Sequence, residues 1–241
     1  MTETTLRLDA EQVAGEIEPA EFNRLLGMPR GRDLDGLLAE RAAWARVWYA
    51  RHGSPYLTAR RHEIVELTID TVRLGGGLSF VSRAFADHLR RWEAHAMVGM
   101  AVSAGAEVDQ ACEEMWKDGR PDEAYFLERF GVAVVERLVH TSTLRLCQAA
   151  EGGDATLTPH ISPGCGSWEL EHQQLLWAAI FADGELGPIR LLDSGGLMPK
   201  NSMLAAAGVT RRAVTASPLD ACRSCDLGRC RFRRAPFRGE R

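Results

Sequence analysis

The 241-residue sequence has no apolar run approaching the length that crosses a bilayer, and its opening residues, Met1-Thr2-Glu3-Thr4-Thr5-Leu6-Arg7-Leu8-Asp9, lack the basic start and apolar stretch of an export signal. A helical membrane span is thereby excluded and a cytoplasmic protein expected. Cysteine is scarce: six residues without an export signal read as thiols or metal ligands, not as a disulfide framework. There is no internal repeat, which argues against a solenoid, and no low-complexity segment. What remains, 45% apolar and 26% charged residues, is the composition of a folded globular chain long enough for one large domain or two small ones.

Charge is low overall and uneven. Of the net −4, the stretch from Arg211 to Arg241 holds nine arginines against Asp220, Asp226 and Glu240, or +6, which leaves −10 for the first 210 residues. A basic tail can bind nucleic acid, but Phe232 and Phe237 are its only stacking side chains and it carries no nucleic-acid motif. Pairing of the tail with the chain's own acidic body is the favoured reading. Ser217-Pro218 marks the boundary, giving a domain over 1–216 and a basic, cysteine-rich tail over 217–241 packed on it.

Periodicity and breakers place the elements. A strand is expected around Thr5–Leu8, a short helix from Pro19 to Gly27, and an amphipathic helix from Asp35 to Ala50. His62–Leu74 reads as one strand closed by Gly75-Gly76-Gly77. Phe85, Leu89, Trp92, Ala96 and Met100 recur at steps of three and four, so Ser82–Ala104 reads as one long helix with His88 and Glu93 on its polar side. Further helices are expected over Glu107–Asp118, Glu123–Ala150 and Glu169–Phe181, and strands over Ile189–Asp193 and Met203–Val209. On the longest helix, Glu136 and His140 are four apart and adjacent, a pair suited to a ligand amine or simply to a surface ion pair.

Two stretches carry chemistry. In His160-Ile161-Ser162-Pro163-Gly164-Cys165-Gly166-Ser167-Trp168, Pro163 fixes φ while the glycines permit a tight turn, which offers Cys165 to a metal, an electrophile or another thiol. An ordinary loop with a buried thiol is the plainer alternative. Downstream, Cys222, Cys225 and Cys230 form a C-x₂-C-x₄-C array, three soft ligands suited to Zn²⁺ or an iron–sulfur cluster, with Arg223, Arg229 and Arg231 interleaved to lower their thiol pKa values. The fourth ligand is a residue, a water or a ligand atom. Cys165 is the protein candidate, because Cys112 and Cys147 fall within expected helices.

The segments Ser162-Pro163-Gly164-Cys165-Gly166-Ser167-Trp168-Glu169-Leu170-Glu171-His172-Gln173 and Leu192-Asp193-Ser194-Gly195-Gly196-Leu197-Met198-Pro199-Lys200-Asn201-Ser202 resemble the activation domain of cobalamin-dependent methionine synthase and its stand-alone relatives. There the loop has the form Arg-x-x-Pro-Gly-Tyr and the second segment the form Thr-Glu-Ser…Met-x-Pro-x-x-Ser; His160 and Cys165 stand at the arginine and tyrosine positions. The resemblance covers about residues 20–210, and some stand-alone members carry a similar three-cysteine tail. It implies an α+β fold with helices around a twisted, largely antiparallel sheet. It also implies S-adenosylmethionine binding through Glu136, His160, Ser162, Pro163, Gly164, Asp193 and Ser194, in the service of a corrinoid-binding protein or methyltransferase partner. With it, the cysteines suggest an iron–sulfur cluster, a four-iron four-sulfur one or zinc in its place, held by Cys222, Cys225, Cys230 and Cys165, which completes the set or stands beside an open position. Two other readings stay open: a self-contained enzyme acting on a small molecule with S-adenosylmethionine or the cluster and Cys165, and a zinc-stabilised binding module without catalysis.

Overall fold

The computed structural model describes residues 3–29, 31–149, 155–165, 167–181, 187–212 and 214. In chain order these form β1 (Glu3–Arg7), α1 (Ala10–Gly15), α2 (Pro19–Leu25), α3 (Gly36–His52), β2 (Tyr56–Leu67), β3 (Thr71–Leu74), β4 (Ser79–Val81), α4 (Arg83–Arg91) and β5 (Ala96–Ser103). There follow α5 (Ala106–Lys117), α6 (Pro121–Ala149), β6 (Thr156–Leu157), α7 (His172–Ile180), β7 (Arg190–Leu191), β8 (Leu197–Met198) and β9 (Ser202–Thr210). Local chemistry fixes several starts. The Asp9 side chain accepts from Gln12 N at 2.8 Å to cap α1, Ser82 caps α4 in the same way, Pro19 opens α2, and Arg41 clasps Asp122 and Glu123 in the first turn of α6.

The main sheet is antiparallel throughout, in the order β4-β3-β2-β5-β9-β6, and the long β2 also carries β1 beside β3 on the side away from β5. Ala96, Val98, Met100 and Val102 of β5, with Ala205, Ala207 and Val209 of β9, face α1, α2, α3, α5 and α6. Met97, Ala101, Leu204 and Ala206 point the other way, onto α4, α7 and Trp168. The fold class is therefore the expected one, α+β around an antiparallel sheet.

Two expected elements differ. The helix over Ser82–Ala104 is instead α4 followed by β5, the most buried strand of the sheet. Covered on both faces, β5 has no polar alternation, and an apolar run of this kind mimics one side of a helix. The stop between them carries neither glycine nor proline: Glu93 takes the left-handed turn at φ 52°, with Ala94 N donating to Leu89 O at 3.0 Å. His88 accordingly does not sit on a solvated face but is half-buried against the loop after β6. The single strand over His62–Leu74 is the β2–β3 hairpin, whose turn is closed by Thr71 N donating to the Thr68 hydroxyl at 3.0 Å and by Thr68 N donating to Thr71 O at 2.9 Å.

Gly208 of β9 sets how near α4 lies to the sheet. A Cβ there would stand 2.7 Å from the Ala94 Cβ and 3.0 Å from Leu89, and the alanine methyl cannot swing aside. Gly208→Ala is expected to lower stability by about 1–3 kcal/mol, read as a reduced midpoint of urea unfolding with unchanged slope.

Candidate functional site

The loop that the sequence singles out leaves β6 along the edge of β9. Leu157 pairs with Val209, while Ile161 bridges to Ala206. Four residue steps on the loop strand thus face three on β9, a bulge of one residue at Thr158-Pro159-His160. Ser162-Pro163-Gly164-Cys165 then closes a turn in which Cys165 N donates to Ser162 O at 3.1 Å and Gly164 holds φ 80°, a backbone that side chains resist. Ser162 and Pro163 are buried, and Gly164 and Cys165 are exposed.

The downstream end of the loop is anchored by Trp168, 2% exposed. Its indole stacks on Phe85 at 4.3 Å and 11°, and its Nε1 donates to His172 Nδ1 at 3.1 Å, so that nitrogen of His172 carries no proton in this arrangement. Trp168 O in turn accepts from Gly164 N at 2.8 Å. Packing of the aromatic cluster is thereby transmitted to the turn that presents Cys165.

The second motif segment meets the first. Gly195 N donates to Leu192 O at 2.9 Å and Leu192 N to Gly196 O at 2.8 Å, closing a tight turn whose Asp193 and Ser194 are exposed. Gln173 Nε2 of α7 donates to Gly195 O at 2.7 Å. Leu170 touches both turns, since a Cβ at Gly164 would lie 3.0 Å from its Cδ1 and one at Gly195 3.7 Å from its Cγ. Ser162, Pro163, Gly164, Cys165, Asp193 and Ser194 therefore belong to one patch, with Leu170 and Gln173 as the link that sequence reasoning missed. No spacing rule signals that link; both residues merely lie within the quoted motif.

Glu136 stands apart from that cluster in its packing. It lies on α6, among the helices on the opposite face of the sheet from Trp168, and its carboxylate accepts from Arg24 Nη2 at 2.5 Å, while neighbouring Arg137 reaches Glu21 at 3.4 Å. His88 sits behind the loop with Nε2 3.1 Å from the Thr158 hydroxyl. Burial, opposed by the Pro159 carbonyl and aided by Arg91, pushes its imidazole down to about 4. Between the ordinary value of about 6.5 and this lowered one, the unfolded chain binds a proton that the folded chain does not. Stability is expected to fall as pH drops through that window, by up to about 1.4 kcal/mol per unit, and His88→Gln to lose that component in urea titrations at pH 7, 5.5 and 4.5.

Among the described residues no group of three or more His, Cys, Asp or Glu side chains is placed to hold a metal ion. Cys112 is buried, its Sγ donates to Ala124 O at 3.4 Å, and burial beside Glu128 and Asp109 pushes its thiol up to about 11, as befits a packing residue. Cys222, Cys225 and Cys230, and the tail as a whole, lie outside the described residues. At the end of β9 lies a cleft of about 390 Å³ lined by Glu93, His95, Thr210, Arg211 and Arg212. There Thr210 Oγ1 donates to Trp92 O at 2.6 Å, and Arg212 Nη1 reaches both Glu93 Oε1 and Arg91 O at 3.2 Å.

No family model and no curated protein matches the sequence. Among solved structures, the MetH reactivation domain bound to AdoHcy matches 90% of this chain and 81% of its own, with a TM-score of 0.67 at 10% sequence identity. The chain has the fold of the MetH reactivation domain. The architecture implied by the Ser162–Gln173 and Leu192–Ser202 segments is thus the observed one. At this identity the agreement concerns the path of the backbone, and the side chains at the ligand loop, His160 and Cys165 among them, are this chain's own.

Proposed function

We propose that this chain binds S-adenosylmethionine, and its product S-adenosylhomocysteine, over the patch formed by His160–Cys165 and Asp193–Ser194. The observation that carries the reading is the meeting of the Gly164 and Gly195 turns at Leu170, in a fold shared with a domain crystallised with AdoHcy. Two glycine turns side by side, without side chains at Gly164 and Gly195, let a nucleoside approach the backbone closely, and Asp193 and Ser194 add a carboxylate and a hydroxyl at the rim. His160 supplies a hydrogen-bond donor for the ligand carboxylate; Glu136, held by Arg24 on the opposite face of the sheet, has no part in this patch.

The finer part of the proposal is that the chain serves a corrinoid-binding partner in reductive activation or methylation, with an iron–sulfur cluster on Cys222, Cys225, Cys230 and Cys165. The donor set suits such a cluster: three thiolates within nine residues, beside arginines that favour the ionised form, and a fourth exposed on the Gly164 turn. Nine residues lie between Arg212 and Cys222, so Cys222 lies within about 35 Å of Arg212. When bound, such a cluster supplies a low-potential electron, which Zn²⁺ does not. Calorimetric titration of the full-length protein with S-adenosylmethionine and S-adenosylhomocysteine tests the first part; saturable one-to-one binding is expected, and absence of heat with both ligands at millimolar concentration overturns it.

A further inference from the structure

The bulge at Thr158-Pro159-His160 has a consequence for the faces of the sheet. Leu157 and Ile161 are four residues apart and in a regular strand would point the same way. Instead Leu157 is buried with α6 and Ile161 packs against the Trp168 side. The extra residue carries the chain across the sheet edge and delivers Ser162–Trp168 to the α4–α7 face.

One side-chain oxygen holds the bulge. The fully buried Thr158 hydroxyl donates to Pro159 O at 3.1 Å and accepts from Gly208 N at 2.9 Å, standing in for a backbone carbonyl of the interrupted ladder. With its only proton committed, it takes His88 Nε2–H at 3.1 Å in its remaining acceptor site. A hydroxyl has one proton and two lone pairs, and all three are used. Thr158 N donates to Gly208 O at 2.9 Å, so Gly208 is gripped on both its polar groups by one residue.

We infer that Thr158 and His88 are positioning residues for the ligand loop, their shared hydrogen bond fixing the bulge that aims His160 and the Gly164 turn at the ligand. The inference rests on the reading of that loop as a ligand site. Its alternative is a purely structural role, in which the same bonds hold β6 on β9 and nothing more. The two differ in coupling: a positioning residue acts through His160, a structural one does not.

The test is a double-mutant cycle on S-adenosylhomocysteine affinity by calorimetry, with thermal midpoints recorded for every variant. Thr158→Val and His88→Leu are each expected to weaken binding roughly tenfold, with Thr158→Ser, which keeps the hydroxyl, within about threefold of wild type. On a His160→Ala background Thr158→Val is expected to cost less than about threefold more. Equal losses on both backgrounds, or unchanged affinity in Thr158→Val, overturn the inference. If the wild type binds no ligand, the proposed function falls by itself, and the ring resonances of His160 decide the positioning role. Displacement of those resonances in Thr158→Val and His88→Leu but not in Thr158→Ser upholds it; resonances that stay in place in all three overturn it.

Discussion

Trp168→Ala is expected to destabilise the protein by about 3–5 kcal/mol and to loosen the candidate ligand loop at the same time. The indole fills the space between Phe80, Phe85 and α7, stacking on Phe85 at 4.3 Å and meeting Phe80 edge-on at 6.2 Å. Truncation removes that area and leaves a cavity lined by side chains from three elements, which cannot all close on it. It also leaves His172 Nδ1 without its indole donor and frees the backbone carbonyl that holds Gly164. Urea unfolding reads the first effect, and limited proteolysis across 160–171 reads the second. Trp168→Phe separates them: the stack is kept in part and the Nε1 donor lost, so stability should fall by less while the loop still gains protease sensitivity. A Trp168→Ala protein as stable as wild type would contradict the packing described.

Protein purified without oxygen is expected to contain iron and acid-labile sulfide in similar amounts, with visible absorbance that bleaches on reduction. Cys222→Ser, Cys225→Ser and Cys230→Ser should each bring iron close to background, because three ligands from one short segment leave no substitute for a lost one. Cys165→Ala is the informative variant. Loss of iron to the same extent makes Cys165 the fourth ligand, whereas a retained but more labile cluster leaves it beside an open position. A colourless protein with one equivalent of zinc, unchanged by Cys165→Ala, would contradict the cluster and favour a structural metal.

Much of the architecture is legible in the residues. The helices α3, α5 and α6 and the turn at Pro163-Gly164 follow from periodicity and from the backbone preferences of those two residue types, although Leu38 of the expected α3 stripe is exposed and only Ala45 and Tyr49 of that helix are buried. The strand β5 is not legible in that way, because burial on both faces removes the alternation that distinguishes a strand. The stop of α4 is hidden for a related reason: Glu93 accepts a left-handed turn without glycine, while its carboxylate meets Arg212 at 3.2 Å. At the site, the motif segments are visible one at a time, but their meeting at Leu170, with Gln173 holding Gly195 O, is a tertiary contact that no spacing encodes. The bulge at Thr158–His160 has no signature in composition; it emerges from the pairing of Leu157 with Val209 and of Ile161 with Ala206. His88 illustrates the limit of helical-wheel reasoning, since its partner Thr158 lies 70 residues away and its lowered pKa follows chiefly from burial.

The central claim, that the paired Gly164 and Gly195 turns form an S-adenosylmethionine site, is tested most directly by titrating S-adenosylhomocysteine into wild-type protein and into Gly164→Val. Gly164 stands at φ 80° with Leu170 3.0 Å from where a Cβ would be, so valine there distorts the turn without touching the sheet. One-to-one binding by the wild type and its loss in a Gly164→Val protein that still unfolds cooperatively is the predicted result. Equal binding by both proteins, or by neither, would contradict the site.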